Sequence, residues 1–187
     1  PRVDRCQTCH LGASNGAYAN SSQPFTSHPN LDLYVADTSV HPVGEFGCAV
    51  CHQGKGLATS FYSAVHTPSN ESEEHRWEEE HGWSHIELWE WPMRKVAETE
   101  ASCLKCHLDD TWMPDAPTLE YGLSIIENVG CFGCHQLDRF DDARKVGPSL
   151  EHVGVKTTSE WAYNWVMDPK SFRPNTPMPK FFNLVNT

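Results

Sequence analysis

Four times in this chain, two cysteines stand with two residues between them and a histidine follows directly. The segments are Cys6-Gln-Thr-Cys9-His10, Cys48-Ala-Val-Cys51-His52, Cys103-Leu-Lys-Cys106-His107 and Cys131-Phe-Gly-Cys134-His135, and they use all eight cysteines. Cysteines paired at this spacing occur in zinc ribbons, thioredoxin-like redox sites and disulfide frameworks. None of these requires a histidine at the next position. With 11 histidines in 187 residues, four such neighbours arise by chance with a probability on the order of 10⁻⁵.

One chemistry does require the arrangement. In a CxxCH segment, two thioether bonds clamp the vinyl groups along one edge of a haem, and the adjoining imidazole reaches the iron. The sequence therefore implies four covalent c-type haems. Cys6, Cys9, Cys48, Cys51, Cys103, Cys106, Cys131 and Cys134 are the attachment residues, and His10, His52, His107 and His135 the proximal ligands. Composition agrees: hydrophobic residues make up only 39%, with 7 Trp and 13 Pro. Four apolar plates would supply much of the core, and folding would be coupled to their attachment. Haem c is attached outside the cytoplasm, so a periplasmic or cell-surface location is expected. The chain begins at Pro1, and its signal peptide is expected to have been removed.

The formal charge is −11. Residues 1–135 carry 19 acids and 7 bases, whereas residues 136–187 carry 6 and 7. So negative a field disfavours nucleic acid, whose phosphates need clustered Lys and Arg. No apolar run approaches the ~20 residues of a membrane helix.

The fold class expected is mainly α with extensive loop. Residues 11–47, rich in Gly, Ser, Asn and Pro, read as loop wrapped around haems. Asn70 with Glu73 marks a helix start, and the pattern predicts a helix over about 71–90, weakly interrupted by Gly82 and ended by Pro92, with Trp77, His81, His85 and Trp89 along one face. Further helices are predicted over 94–106 and 118–129, the latter turning Leu119, Leu123 and Ile126 inward. No strand is expected. The polar break from Asp109 to Pro117 suggests two regions, 1–116 with three motifs and 117–187 with one.

From Leu119 onward the sequence resembles a mono-haem class I cytochrome c: an entry helix, Gly130-Cys-Phe-Gly-Cys-His135, then Gly147-Pro-Ser-Leu150, then Thr176-Pro-Met-Pro179. The resemblance implies that Pro148 offers its carbonyl to His135 and that Met178 is the sixth ligand of the fourth iron. Class I proteins close with a further helix. None follows before Thr187, so the expectation is a fragment or a face covered by a neighbour. Residues 1–116 resemble the looser class of multihaem cytochromes.

Seven histidines remain for the other sixth positions. His41, seven residues before Cys48, is placed to reach a neighbouring haem, most simply the first. His66, His81, His85 and Met93 are the other candidates. His28, His75 and His152 read as structural or solvent-facing. Trp161 and Trp165, one helical turn apart, are expected to pack on the fourth haem or offer an indole N–H to a propionate. The function expected is single-electron transfer between redox partner proteins, within a larger respiratory complex or a filament. The rival is a multihaem oxidoreductase of nitrite, hydroxylamine or peroxidase type, which needs an open iron.

Overall fold

The computed structural model describes residues 4–86, 91–110, 112–140 and 144–183. It is helical, with long irregular connections and no strand among the described residues. The one ladder-like pairing there is an isolated antiparallel bridge, Gln53 to Met93. The chain divides into two compact units, Pro1–Cys106 and His107–Thr187, and passes from one to the next inside the third motif.

In the first unit, residues 11–47 form turns interrupted by short helical pieces, Gly16–Tyr18, Leu31–Val35 and Val43–Phe46. The longest α-helix of this unit, Glu71–His81, starts as its sequence predicts. Asn70 accepts the Glu73 N–H at 3.0 Å, and Glu73 accepts the Ser69 N–H at 2.8 Å. It ends at Gly82, however, and not at Pro92. Gly82 is left-handed (φ 60°), and the Gly82 and Trp83 amides turn back to the carbonyls of Glu78 and Trp77. Only glycine takes that conformation without a Cβ penalty. The turn buries Trp83, whose indole N–H donates to the His66 carbonyl at 2.9 Å. Trp89, expected on the same helix face, lies outside the described residues.

The predicted helix at 94–106 is also corrected. Val96–Lys105 is a 3-10 helix, in which residues three apart lie one above the other. Ser102 and Lys105 consequently share a side, and both bond the second motif: Ser102 Oγ donates to Cys51 O at 2.5 Å and Lys105 Nζ to Val50 O at 2.7 Å.

In the second unit, Pro117–Val129 forms the predicted entry helix, with Pro at its start and left-handed Gly130 (φ 75°) after its end. Leu119, Leu123 and Ile126 are half-buried. Ser159–Met167, capped by Thr158, is the other substantial helix of this unit.

Candidate haem sites

In the first unit one carboxylate ties two motifs together. Asp4 Oδ2 accepts the amides of Cys48 (2.7 Å) and Ala49 (2.8 Å), and Oδ1 accepts that of Cys6 (3.0 Å). An Asp4 oxygen and the sulfur atoms of Cys6 and Cys48 all lie within 4.8 Å of one another. Burial works to raise the Asp4 pKa, but hydrogen bonds from Cys6, Ala49 and Cys48 outweigh it, so the group sits below its ordinary value. As thiols, Cys48 and Cys6 share a hydrogen bond that lowers the former and raises the latter. The second motif is the hub of this unit: besides Asp4, Ser102 and Lys105, the Arg94 amide donates to His52 O at 2.8 Å and Gly54 N–H to Trp91 O at 3.2 Å.

Two motif histidines each face a second imidazole. The His10 and His66 ring centroids are 6.2 Å apart, tilted by 47°; those of His52 and His28 are 6.3 Å apart at 71°. His66 stacks on Phe61 at 4.4 Å, and its Nδ1 lies 3.1 Å from the Phe61 carbonyl oxygen. Burial holds His28, His52 and His66 below the usual histidine range. They are therefore neutral near pH 7, the form with a lone pair for a metal. His41 sits between Tyr34 (5.6 Å) and Phe46 (5.4 Å), with Nδ1 3.2 Å from the Leu33 carbonyl oxygen.

The remaining candidates lie elsewhere. His81 is exposed beside Phe61 and Glu80, and His85 is exposed on the rim of a cavity that His66 and Trp83 also line. Met93 lies against the turn after the second motif: its Cε is 3.3 Å from where a Cβ on Gly54 would stand.

In the second unit, His107 Nδ1 bonds the Asp110 carboxylate at 2.5 Å. Arg139 fixes that loop by donating to the carbonyls of Leu108 (2.8 Å) and Asp110. His135 Nδ1 lies 2.8 Å from the Pro148 carbonyl oxygen. Gly147 packs so closely on this imidazole that an added Cβ would stand 2.9 Å from both Nδ1 and Cε1; a side chain there would push the ring away. A carbonyl can only accept, so Nδ1 carries the proton and Nε2 keeps its lone pair for a metal. Met178 is half-buried and its sulfur accepts the Trp165 indole N–H at 3.0 Å. Trp165 thus donates to a thioether, and it stacks on Trp161 at 5.3 Å.

The residues fit haem in two further respects. Among the described residues, Val65, Pro68, Trp83, Met113, Ala116 and Pro169 are the buried apolar side chains. Large apolar side chains such as Trp112, Tyr121 and Val146 are instead mostly exposed. The polypeptide alone does not cover its apolar side chains. In addition, Arg94 Nε is buried with no hydrogen-bond partner, and a haem propionate is the kind of acceptor it lacks.

Sequence reasoning missed Asp4, Asp110 and Arg94. Asp110, three residues past a motif histidine, carried a local signal. Asp4 bonds Cys6 nearby, but its ties to Cys48 and Ala49, like that of the Arg94 amide to His52, span more than forty positions and carried none.

Comparison with known proteins agrees with this chemistry. Residues 47–136, spanning the second, third and fourth motifs, match the family described as cytochrome c554 and c-prime. No curated protein and no solved structure matches the chain. Over nearly half its length the chain is thus similar to a c-type cytochrome family, which supports a mainly helical, haem-binding electron-transfer protein.

Proposed function

We propose that the chain is an extracytoplasmic electron carrier with four covalent c-type haems, one on each CxxCH segment. The observation that carries this reading is the environment of His135. The Pro148 carbonyl at 2.8 Å fixes the ring's proton on Nδ1, and Gly147 closes on the ring's flank. Together they orient a proximal ligand. Haem iron, when bound, supplies reversible one-electron chemistry whose potential follows its axial ligands. The chain's residues attach, orient and shield it.

Residues 1–116 form the three-haem region and residues 117–187 a class I-like region. Met178 is the sixth ligand of the fourth iron, a reading supported by its half-buried sulfur with one lone pair held by Trp165. The first three irons draw their sixth ligands from the set His41, His66, His81, His85 and Met93. The partners are redox proteins, within a respiratory complex or filament, in a periplasmic or surface setting. They dock with least repulsion at residues 136–187, where 7 bases offset 6 acids.

Mass spectrometry of the denatured chain tests the core of this proposal. Four retained haems, with no disulfide and no zinc, are expected; fewer than four defeat it. Rapid carbon monoxide binding at two or more haems of the ferrous protein would favour an oxidoreductase over a carrier.

A further inference from the structure

We infer that His66 and His28 are sixth ligands, His66 opposite His10 on the first iron and His28 opposite His52 on the second. The inference rests on the four-haem reading and adds a ligand, His28, that its sequence context does not reveal. Two imidazoles on opposite sides of one metal ion have a nearly fixed separation. Each metal–nitrogen bond is about 2.0–2.1 Å and each ring nitrogen lies roughly 1.1 Å from its ring centre, so the centroids stand about 6.2–6.4 Å apart. The observed separations are 6.2 Å for His10–His66 and 6.3 Å for His28–His52.

Ordinary packing of rings covers centroid distances of about 4.5–7 Å, so one such pair alone would be weak evidence. Here the same separation recurs at two motif histidines. The partners are half-buried, while His75, His81 and His85 are exposed. The tautomer also suits His66: the Phe61 carbonyl holds its proton on Nδ1 and leaves Nε2 to face a metal. At His28 the Asn30 amide points at Nδ1 from 3.2 Å. A neutral ring bound through Nε2 carries its proton on Nδ1, so ligation there displaces one long, neutral hydrogen bond. The two pairs are nested along the chain, His28–His52 inside His10–His66. That order gives the irregular 11–47 segment a task, since it carries the second iron's ligand back over the second motif. His41 is then released from the first iron and becomes available to another.

The test uses the full haem-loaded chain. His66→Gly and His28→Gly should each retain four haems by mass, and in each about one quarter of the haem should become carbon monoxide-reactive. Added imidazole should reverse this. His75→Gly, on an exposed helix face, should change nothing. Where a glycine variant fails to accumulate, His66→Met or His28→Met replaces it. Each should create one Met–iron band at the red edge of the ferric spectrum and raise one midpoint potential. In a Cys6→Ala, Cys9→Ala background, His66→Gly should add no reactive haem while His28→Gly still adds one; the reverse overturns the pairing. Four haems with unchanged spectra in the glycine or methionine variants overturn the inference and leave the four-haem reading standing. A parent protein with fewer than four haems overturns the reading itself.

Discussion

The two compact units surround the same five-residue motif with different chemistry. In Pro1–Cys106, the motif histidines His10 and His52 face other imidazoles, and Asp4, Ser102 and Lys105 tie the attachment segments to one another. In His107–Thr187, the motif histidines are set by a carboxylate on one ring and a carbonyl on the other, and a thioether stands ready in Met178. CxxCH fixes how a haem is attached. What the rest of the chain places around it sets the ligand field, and through that the potential. On the proposed ligation, such a chain would carry a gradient, with imidazole-rich sites at low potential and a thioether site at high potential.

The sharpest way to break the contrast is to remove the thioether. Met178→Ala should open one iron to carbon monoxide, abolish the Met–iron band, and lower the highest midpoint potential by on the order of 100 mV. Met178→His should keep all irons low spin while lowering the same potential, making the fourth site resemble the first two. Spectroelectrochemical titration reads both, and an unchanged highest potential in Met178→Ala would refute the ligand assignment.

Next in size is the tie in the first unit. Asp4→Ala removes the acceptor of three backbone amides and should cost about 1–3 kcal/mol in denaturant unfolding, with the highest potential unmoved. The sign of the pH dependence follows from the depressed carboxyl. Its contribution is present above the unfolded value near 3.8 and is lost as pH falls through the lower folded value. Asp4→Asn should flatten that acid limb of the stability curve.

Asp110→Asn gives His107 a neutral acceptor in place of a charged one. The imidazole then donates less electron density, and the third haem's potential should rise by a few tens of millivolts. No shift would mean that the carboxylate is not paired with His107 in the loaded protein. The smallest effect expected is that of Trp165→Phe, which keeps the ring contact with Trp161 but removes the N–H on the Met178 sulfur. A freed lone pair makes the thioether a stronger donor, so the fourth potential should fall by about 10–30 mV.

What could be read in advance follows from how far each cause reaches along the chain. The attachment residues are a contiguous pattern. The entry helix announces itself through Pro117, its apolar periodicity and Gly130, all local signals. The end of the Glu71–His81 helix was missed because Trp77, His81 and His85 keep helical spacing past Gly82. A left-handed glycine that buries Trp83 overrode that periodicity. The 3-10 geometry of Val96–Lys105 was hidden for a related reason: it is selected by two bonds to the second motif, more than fifty positions away. His28 read as structural or solvent-facing because a lone histidine in a Gly- and Ser-rich loop carries no further local signal; the structure sets its ring beside that of His52.

The closeness of Cys6 and Cys48 has a consequence for how charge moves. With their sulfur atoms and an Asp4 oxygen inside 4.8 Å of one another, thioethers formed at these positions would bring the rims of two macrocycles together at a single crossing. Exchange at this junction should respond to anything that parts the two segments. Asp4 also leaves a fixed anion at the crossing, which opposes reduction on both sides alike. Haems attached on both sides of it would each be harder to reduce than without Asp4.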